Sequence, residues 1–456
     1  MEKQNFQRFH YRSLEELRRE INEEKLDIEL SEDLDPLHRS VKVGQKKAEN
    51  SMAILPMEGC DCTGDGTPSE LTCRRYMRYA SGGSGLLWWE ADAVVEEGRA
   101  NPRAMMLTGK NVRSFADLVQ QTQRAARASN GAAPLNILQL THSGRYSAPR
   151  GAPEPLVAYH DPYLEQSEVT RNNAIVVTDG YLDMLTEQFV KSAHLARNAG
   201  FDGVDIKAVH KYLVSELLGG YTRPGRYGGS LLERRSRFLL QTVKAVRAAM
   251  GDDFIVAVRL NAFDVHPYPY GFGVDHDDYM VWDASEPKRL VRVLIEAGAD
   301  LLGLSSSNPY YRFSQWGRPS NIAPAGSPAS KDSQLKIIEG IFRYTRELQS
   351  VAGEVPIVGN GYSWLRQFLP NAGAANLAAG GCGFVGQGRS AFAYPDAAHD
   401  IFTFGSMDPA KCCVACSKCT QIMRDHGTTG CVVRDSEVYL PVYQNGRRRT
   451  TQQKRL

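Results

Sequence analysis

No stretch of the 456 residues is long and apolar enough to span a bilayer, which takes about 20 consecutive residues. Met1 to Glu16 is polar and charged, without the apolar core of a secretory signal. These two absences argue against a membrane or exported protein and lead us to expect a cytoplasmic one. An excess of charge of one sign is missing too. Lys and Arg number 54 against 52 Asp and Glu, a net charge of +2, so the chain as a whole carries no electrostatic footprint for nucleic acid or an anionic membrane. Nor does a Gly-x-Gly-x-x-Gly fingerprint follow any expected strand, so no dinucleotide-binding unit is indicated.

What is present is ordinary soluble composition, 42% hydrophobic and 23% charged, enough for a sizeable core and a small-molecule ligand. Residues 1–45 are charged and read as an N-terminal extension, with one amphipathic helix from Ser13 through Leu14, Leu17 and Ile21. From Ser51 onward short apolar runs alternate with segments of helical period, which predicts repeated βα units. The expected strands are Met52 to Met57, Gly85 to Trp89, Asn136 to Leu140, Gly203 to Ile206, Ile255 to Leu260, Leu301 to Ser305, Pro356 to Gly359 and Gly383 to Gly386. Eight such units predict an α/β fold, a (β/α)8 TIM barrel over residues 46–405, whose active groups lie at the C-terminal ends of the strands. One helix is well marked, with Thr178 and Asp179 as caps, Leu182, Leu185, Phe189, Ala193 and Ala196 on one face, and Gly200 as its stop. Long insertions, Tyr146 to Val177 and Phe263 to Trp282, follow the third and fifth strands and are expected to cover the active face.

Polar residues gather where the apolar runs stop. The third run ends in Gln139 and then His142-Ser143-Gly144-Arg145, the fourth in Asp205, Lys207, His210 and Tyr212, the fifth in Arg259. An amide and a cation are what a planar, electron-accepting cofactor needs at its edge, and Gln139 and Arg259 can supply them. Salt-bridged barrel ends would use the same residue types, and composition alone does not separate the two.

Taken in order, these segments resemble the Old Yellow Enzyme family of flavin oxidoreductases, from about Asn50 to Cys431. The matching pieces are Leu55-Pro56-Met57, Trp89-Glu90-Ala91 with Glu97-Gly98-Arg99, Gln139 with His142 to Arg145, Gly200 to Ile206, Tyr227-Gly228-Gly229-Ser230 with Arg234 to Arg237, Gly359-Asn360-Gly361 and Gly388-Arg389. The resemblance implies an enzyme with FMN across the barrel mouth, contacted by Pro56, Met57, Ala91, Gln139 and Arg259. Its phosphate would be held by Gly359, Asn360, Gly361, Gly388 and Arg389, where glycines let backbone amides approach an anion. The family's substrate-activating pair falls on Lys207 and His210, a departure in that lysine replaces imidazole. Tyr212 stands where family reductases keep their proton donor, with Tyr310, Tyr311 or a tyrosine of the second insertion as the next candidates.

The nine cysteines are unevenly placed, five of them between Cys412 and Cys431. Cys413, Cys416 and Cys419, followed after eleven residues by Cys431, have the spacing of a four-thiolate site for zinc or an iron–sulfur cluster. After a flavin barrel the pattern resembles the [4Fe–4S] segment of trimethylamine dehydrogenase, 2-enoate reductase and 2,4-dienoyl-CoA reductase, and residues 406–456 are expected to form it. Cys412 is adjacent and could replace Cys413. Cys60, Cys62, Cys73 and Cys382 lack such spacing and read as packing residues. The basic tail from Arg447 to Arg455 reads as a solvated end or a dock for an acidic carrier.

The expectation is an FMN and [4Fe–4S] ene-reductase of a small unsaturated carbonyl or carboxylate compound, fed by a separate electron-donor protein or by NAD(P)H. Two alternatives stay open: an oxidative dehydrogenase of small amines passing electrons outward, and a non-catalytic electron-relay subunit. Whether copies of the chain form a homo-oligomer is also open.

Overall fold

The computed structural model of the chain describes residues 7–166, 168–309, 311, 318–322, 324 and 332–453. Tyr310, Lys454 and Arg455 lie outside the described residues.

The eight apolar runs become eight parallel strands: β1 (Met52–Ile54), β2 (Leu86–Ala93), β3 (Leu135–Thr141), β4 (Gly203–Ala208), β5 (Ile255–Phe263), β6 (Leu301–Ser306), β7 (Ile357–Gly359) and β8 (Phe384–Gln387). Each pairs with its neighbours in chain order, and β8 pairs with β1 to close the barrel. The strands read as unbroken apolar runs because both faces are covered, one by the barrel interior and the other by helices. Ala53, Trp88, Ile137, Ala257 and Phe384 fill the interior, together with Val43 and Ala48. The last two belong to an antiparallel hairpin, Val41–Val43 with Lys46–Ala48, which packs on this interior cluster. That hairpin spans residue 45, where the extension was expected to end.

Outside the barrel, the helix Asp179–Asn198 starts at Thr178, whose hydroxyl accepts from the Tyr181 amide, and buries Leu182, Leu185, Phe189, Ala193 and Ala196. Of these, Leu182, Leu185 and Phe189 each stabilise the fold by about 1.5–3 kcal/mol. The N-terminal helix Leu14–Glu23, capped by Ser13, buries Leu17 and Ile21. Those two residues share a buried cluster with Trp364, Cys412 and Ala415, so the first turns of the chain brace its C-terminal cysteine segment. Asn321 ties the two together: it accepts from the Phe9 amide (2.9 Å) and the Trp364 indole (2.8 Å) and donates to the Ala415 (2.9 Å) and Val414 (3.1 Å) carbonyls. Among the described residues no helix is long and apolar enough to cross a membrane.

Candidate active site

Strand alternation sends every second side chain into the barrel, and near the C-terminal ends these side chains are polar. Gln139 pairs in register with Asp205 and Lys207 with Arg259. On β2 the register slips at Glu90, so that Ala91 rather than Glu90 stands opposite Gln139. Glu90 is turned away into a buried network with Arg75 (2.6 Å) and the Tyr76 hydroxyl (3.4 Å).

One cavity opens at this end of the barrel. Pro56, Met57, Gln139, Lys207, His210, Tyr212, Arg259, Asn360, Gly361, Gly388 and Arg389 line it, joined by Glu58, Ser305 and Arg318, which the sequence reading did not single out. Ala91 and Gly359 are buried at the ends of β2 and β7 and do not line it.

Beneath the cavity Asp205 is fully buried and accepts three hydrogen bonds: from the Gln139 amide (2.6 Å), the Trp88 indole (3.0 Å) and the Arg259 backbone amide (2.6 Å). Burial lifts its carboxyl to about 6, against the pull of those donors. The Arg259 guanidinium is 8% exposed, and burial brings it down to about 10. Its Nε has no hydrogen-bond partner among the described residues. A buried guanidinium with an unspent donor is suited to an anionic or carbonyl-rich ligand.

Above it, three side chains, one from the loop after β1, one from β4 and one from the loop after β4, meet at one oxygen. Glu58 Oε1 accepts from the Lys207 ammonium at 2.8 Å and from the Tyr212 hydroxyl at 3.2 Å, while the Lys207 Nζ sits 3.8 Å from the centre of the Tyr212 ring. Burial would raise the Glu58 carboxyl, but Lys207 and Tyr212 hold it below its ordinary value. Lys207 is lowered by burial, against the attraction of Glu58. His210 reaches Ser305 Oγ at 3.1 Å, and burial together with the neighbouring cations keeps its imidazole neutral. His210 and Lys211 both have left-handed φ, 65° and 58°, a conformation that costs non-glycine residues of order 1–3 kcal/mol each and concentrates at functional sites. This double turn leaves His210 and Tyr212 on the cavity and sends Lys211 to Asp264 (3.0 Å) in the second insertion. The insertions clasp each other through His266 and Asp161 (2.7 Å), and the Tyr146 ring of the first lies 5.8 Å from that of Tyr212.

On the far side of the cavity the backbone is bare. Gly361 has φ 95°, and a Cβ at Gly386 would strike the Gly359 carbonyl at 2.4 Å, so neither position admits a side chain. A Cβ at Gly388 would meet only Met57 and Leu55 at ordinary distance. Arg389 is anchored to the loop after β6 through Ser320 Oγ (2.8 Å) and the Pro319 carbonyl (2.5 Å).

Beyond Arg389 lies a second, smaller cavity. Cys413, Cys416, Cys419 and Cys431 all line it, with Arg389 and Phe392. Cys412 does not: its thiol is fully buried and donates to the Asp408 carbonyl at 3.3 Å. Burial pushes the Cys419 thiol up to about 12 and raises Cys413 and Cys431 as well. Among the described residues no group of three or more His, Cys, Asp or Glu converges on a single-ion site; the four thiols surround a space. Cys419 and Arg389 line both cavities and therefore form the wall between them.

The comparisons with known proteins agree with this architecture. N,N-dimethylglycine/sarcosine dehydrogenase of Chromohalobacter salexigens is 27% identical over 246 residues, 54% of this chain and 34% of that one. Cinnamate reductase of Clostridium sporogenes is 24% identical over 407 residues, 87% of this chain and 57% of that one. The structure of a 2-naphthoyl-CoA reductase–2-naphthoyl-CoA complex superposes with a TM-score of 0.68 at 18% identity, over 88% of this chain and 57% of that one, a likeness of fold. The chain thus spans from about a third to somewhat over half the length of these relatives. The family model described as NADH:flavin oxidoreductase / NADH oxidase matches residues 36–301, and with the closed barrel and its polar mouth this makes the chain a member of that family of flavin oxidoreductases.

Proposed function

We propose that the chain is an FMN- and [4Fe–4S]-dependent ene-reductase acting on an alkene conjugated to a carbonyl or carboxylate. The observation that carries this reading is the shared wall: Cys419 and Arg389 border both the barrel-mouth cavity and the four-cysteine cavity. A flavin in one and a cluster in the other would be neighbours, as single-electron transfer between them requires.

The residues fit both groups. Arg259, whose Nε has no partner among the described residues, and Gln139 suit the pyrimidine edge of a flavin, while Gly361, Gly388 and Arg389 offer a bare backbone and a cation to the phosphate. Met57 and Pro56 would pack on the ring. Cys413, Cys416, Cys419 and Cys431 are half-buried thiols that line one cavity, and cysteine thiolates are the ligands iron–sulfur clusters take.

FMN, when bound, supplies hydride from N5 to the β-carbon of the alkene. Lys207 and His210 would hold the carbonyl or carboxylate, and Tyr212 would give its hydroxyl proton to the α-carbon. Electrons would come from a carrier protein through the cluster or from NAD(P)H at the mouth. In this reading residues 46–405 are the flavin barrel and 406–456 the cluster segment.

A second reading, oxidation of a small amine with electrons leaving through the cluster, is favoured by Glu58, a carboxylate in the cavity wall that could receive a substrate ammonium. The dehydrogenase named for dimethylglycine and sarcosine is among the relatives. Anaerobic purification with a visible spectrum and iron and sulfide analysis tests the cofactors. Mixing then separates the reactions: re-oxidation of reduced flavin by an enone supports the reductase, bleaching of oxidised flavin by a secondary amine supports the dehydrogenase, and neither leaves an electron-relay subunit.

A further inference from the structure

We infer that Glu58 and Lys207 form a proton relay that recharges Tyr212, so that the proton delivered to the substrate comes ultimately from the Lys207 ammonium. The inference rests on the ene-reductase reading and adds to it a positioning residue, Glu58.

The geometry is specific. A single carboxylate oxygen, Glu58 Oε1, accepts both the Lys207 ammonium proton (2.8 Å) and the Tyr212 hydroxyl proton (3.2 Å), so a proton can pass from one to the other with no change of rotamer. All three side chains border the cavity. Lys207 is 3% exposed and Tyr212 2%, which limits their exchange with bulk water to the cavity mouth. The ammonium also lies 3.8 Å from the centre of the phenol ring, where its charge stabilises a phenolate.

A bound reduced FMN would supply hydride to the β-carbon; as that C–H bond formed the alkene π bond would break, and negative charge would collect on the α-carbon and its carbonyl. The Tyr212 O–H bond breaks as its proton bonds to the α-carbon, leaving a phenolate. Lys207 passes a proton to Glu58 Oε1, which passes it to the phenolate. Tyr212 is then a phenol, Glu58 a carboxylate and Lys207 a neutral amine, which regains its proton from water at the mouth. Burial already disfavours the lysine's charge, so releasing that proton is easier than from a solvated ammonium. Among the described residues the groups facing Lys207 are Glu58, Asp205, Arg259, His210 and the Tyr212 ring, while Arg318 acts on Glu58 and His210. Of these Glu58 alone bridges it to the phenol.

Two measurements on the Glu58→Gln variant test the relay. In the first, holoprotein held reduced by excess dithionite turns over an excess of 2-cyclohexenone or of β-nitrostyrene, whose nitronate product needs no enzymic proton, so that every enone turnover after the first needs Tyr212 recharged. The ratio of enone to nitroalkene rates should fall at least about tenfold, a part of the ~10²–10⁴ expected of general acid catalysis. The wild-type enone rate should also decline as Lys207 deprotonates at rising pH, a decline the variant lacks. In the second, acetic anhydride labelling of Lys207 in FMN-free protein is followed by mass spectrometry against pH. Loss of the carboxylate should move the labelling midpoint down by roughly one pH unit or more. An unchanged rate ratio, or an unmoved midpoint, overturns the relay while leaving the ene-reductase reading standing. If no alkene re-oxidises the reduced wild-type flavin, the ene-reductase reading falls and the relay with it.

Discussion

At the barrel mouth the polar side chains stand at or just beyond the ends of strands from around the barrel, so their relative positions are set by the register of a closed sheet. In the cysteine cavity three of the four thiols come from seven consecutive residues and the fourth from a loop twelve residues further on. Among the described residues that segment is held by packing on the N-terminal turns and by hydrogen bonds rather than by strand register: the Thr429 amide to the Gly59 carbonyl (2.6 Å), Arg103 to the His426 carbonyl (2.9 Å), and Arg74 to the Asp435 carboxylate (2.7 and 3.0 Å). A site built on strands is preorganised by the fold, whereas one built on loops depends on what it binds. Removing a ligand should therefore be far more damaging in the second region than in the first.

The largest expected effect follows directly. Cys416→Ala should abolish bound iron while FMN content stays near that of the wild type, measured as iron and sulfide per flavin after anaerobic purification. Full iron in the variant, or stoichiometric zinc in the native protein, would break the comparison. Next in size, Tyr212→Phe should slow enone re-oxidation of reduced flavin by ~10²–10⁴ and spare β-nitrostyrene, with fold and flavin intact. Equal slowing of both substrates would make Tyr212 a packing residue of the mouth.

A smaller effect is expected at Arg259, because Gln139 and the bare glycines remain. Arg259→Ala should weaken FMN binding by roughly ten- to a hundredfold, the ~1.5–3 kcal/mol of a hydrogen bond to a charged group, or lower the flavin potential. Fluorescence titration of the apoprotein and a redox titration check it, and no change in either would remove Arg259 from the flavin site.

The two regions also differ in how much of them the sequence discloses. The eight strands were legible because each is a short apolar run ending in polar residues, and the spacing of the cysteines is a local signal. What stayed hidden are pairings across the chain. Glu58 meets Lys207 149 positions away, and neither residue's neighbours announce it. Asp205 reads in the sequence only as one of the polar residues that end the fourth run, since its three donors come from three different strands. Arg318 sits in the connection after β6, with no motif around it. Adjacent Cys412 and Cys413 are alike in sequence; only the packing of Cys412 against the core shared with Leu17 and Ile21 turns Cys413 toward the cavity. The same packing makes the N-terminal turns a brace for the cysteines, which nothing in residues 1–45 foretells.

Within the strand-built region, a contrast between two buried aspartates yields the smallest effect and the finest test of preorganisation. Asp205 accepts three hydrogen bonds and is lifted to about 6, whereas Asp92, at the end of β2, accepts one from the Leu107 amide (2.7 Å), and burial lifts it to about 8. Its Oδ2 has no hydrogen-bond partner among the described residues. A carboxyl whose folded pKa lies above its unfolded value of about 3.9 contributes stability that is fully present below that unfolded value. The contribution is lost progressively as pH rises toward the folded value, because the unfolded chain ionises first. Asp92→Asn keeps a neutral acceptor for the Leu107 amide and has no proton to lose. The variant and the wild type should therefore unfold at similar temperatures near pH 4, and the variant should gain steadily toward pH 8. The gap there should be on the order of 1–3 kcal/mol, the cost of an unsatisfied buried group, or roughly 2 °C per kcal/mol in a domain of this size. Asp205→Asn should instead be less stable than the wild type at pH 4, because an amide cannot satisfy three donors, with a deficit that shrinks toward pH 6 as the wild-type carboxyl, also raised by burial, loses its own contribution. Calorimetry at pH 4, 6 and 8 on both variants decides it: a gap for Asp92→Asn that narrows with rising pH would mean that Asp92 is charged and paired, and that the β2 end of the mouth is organised by an ion pair instead of by burial.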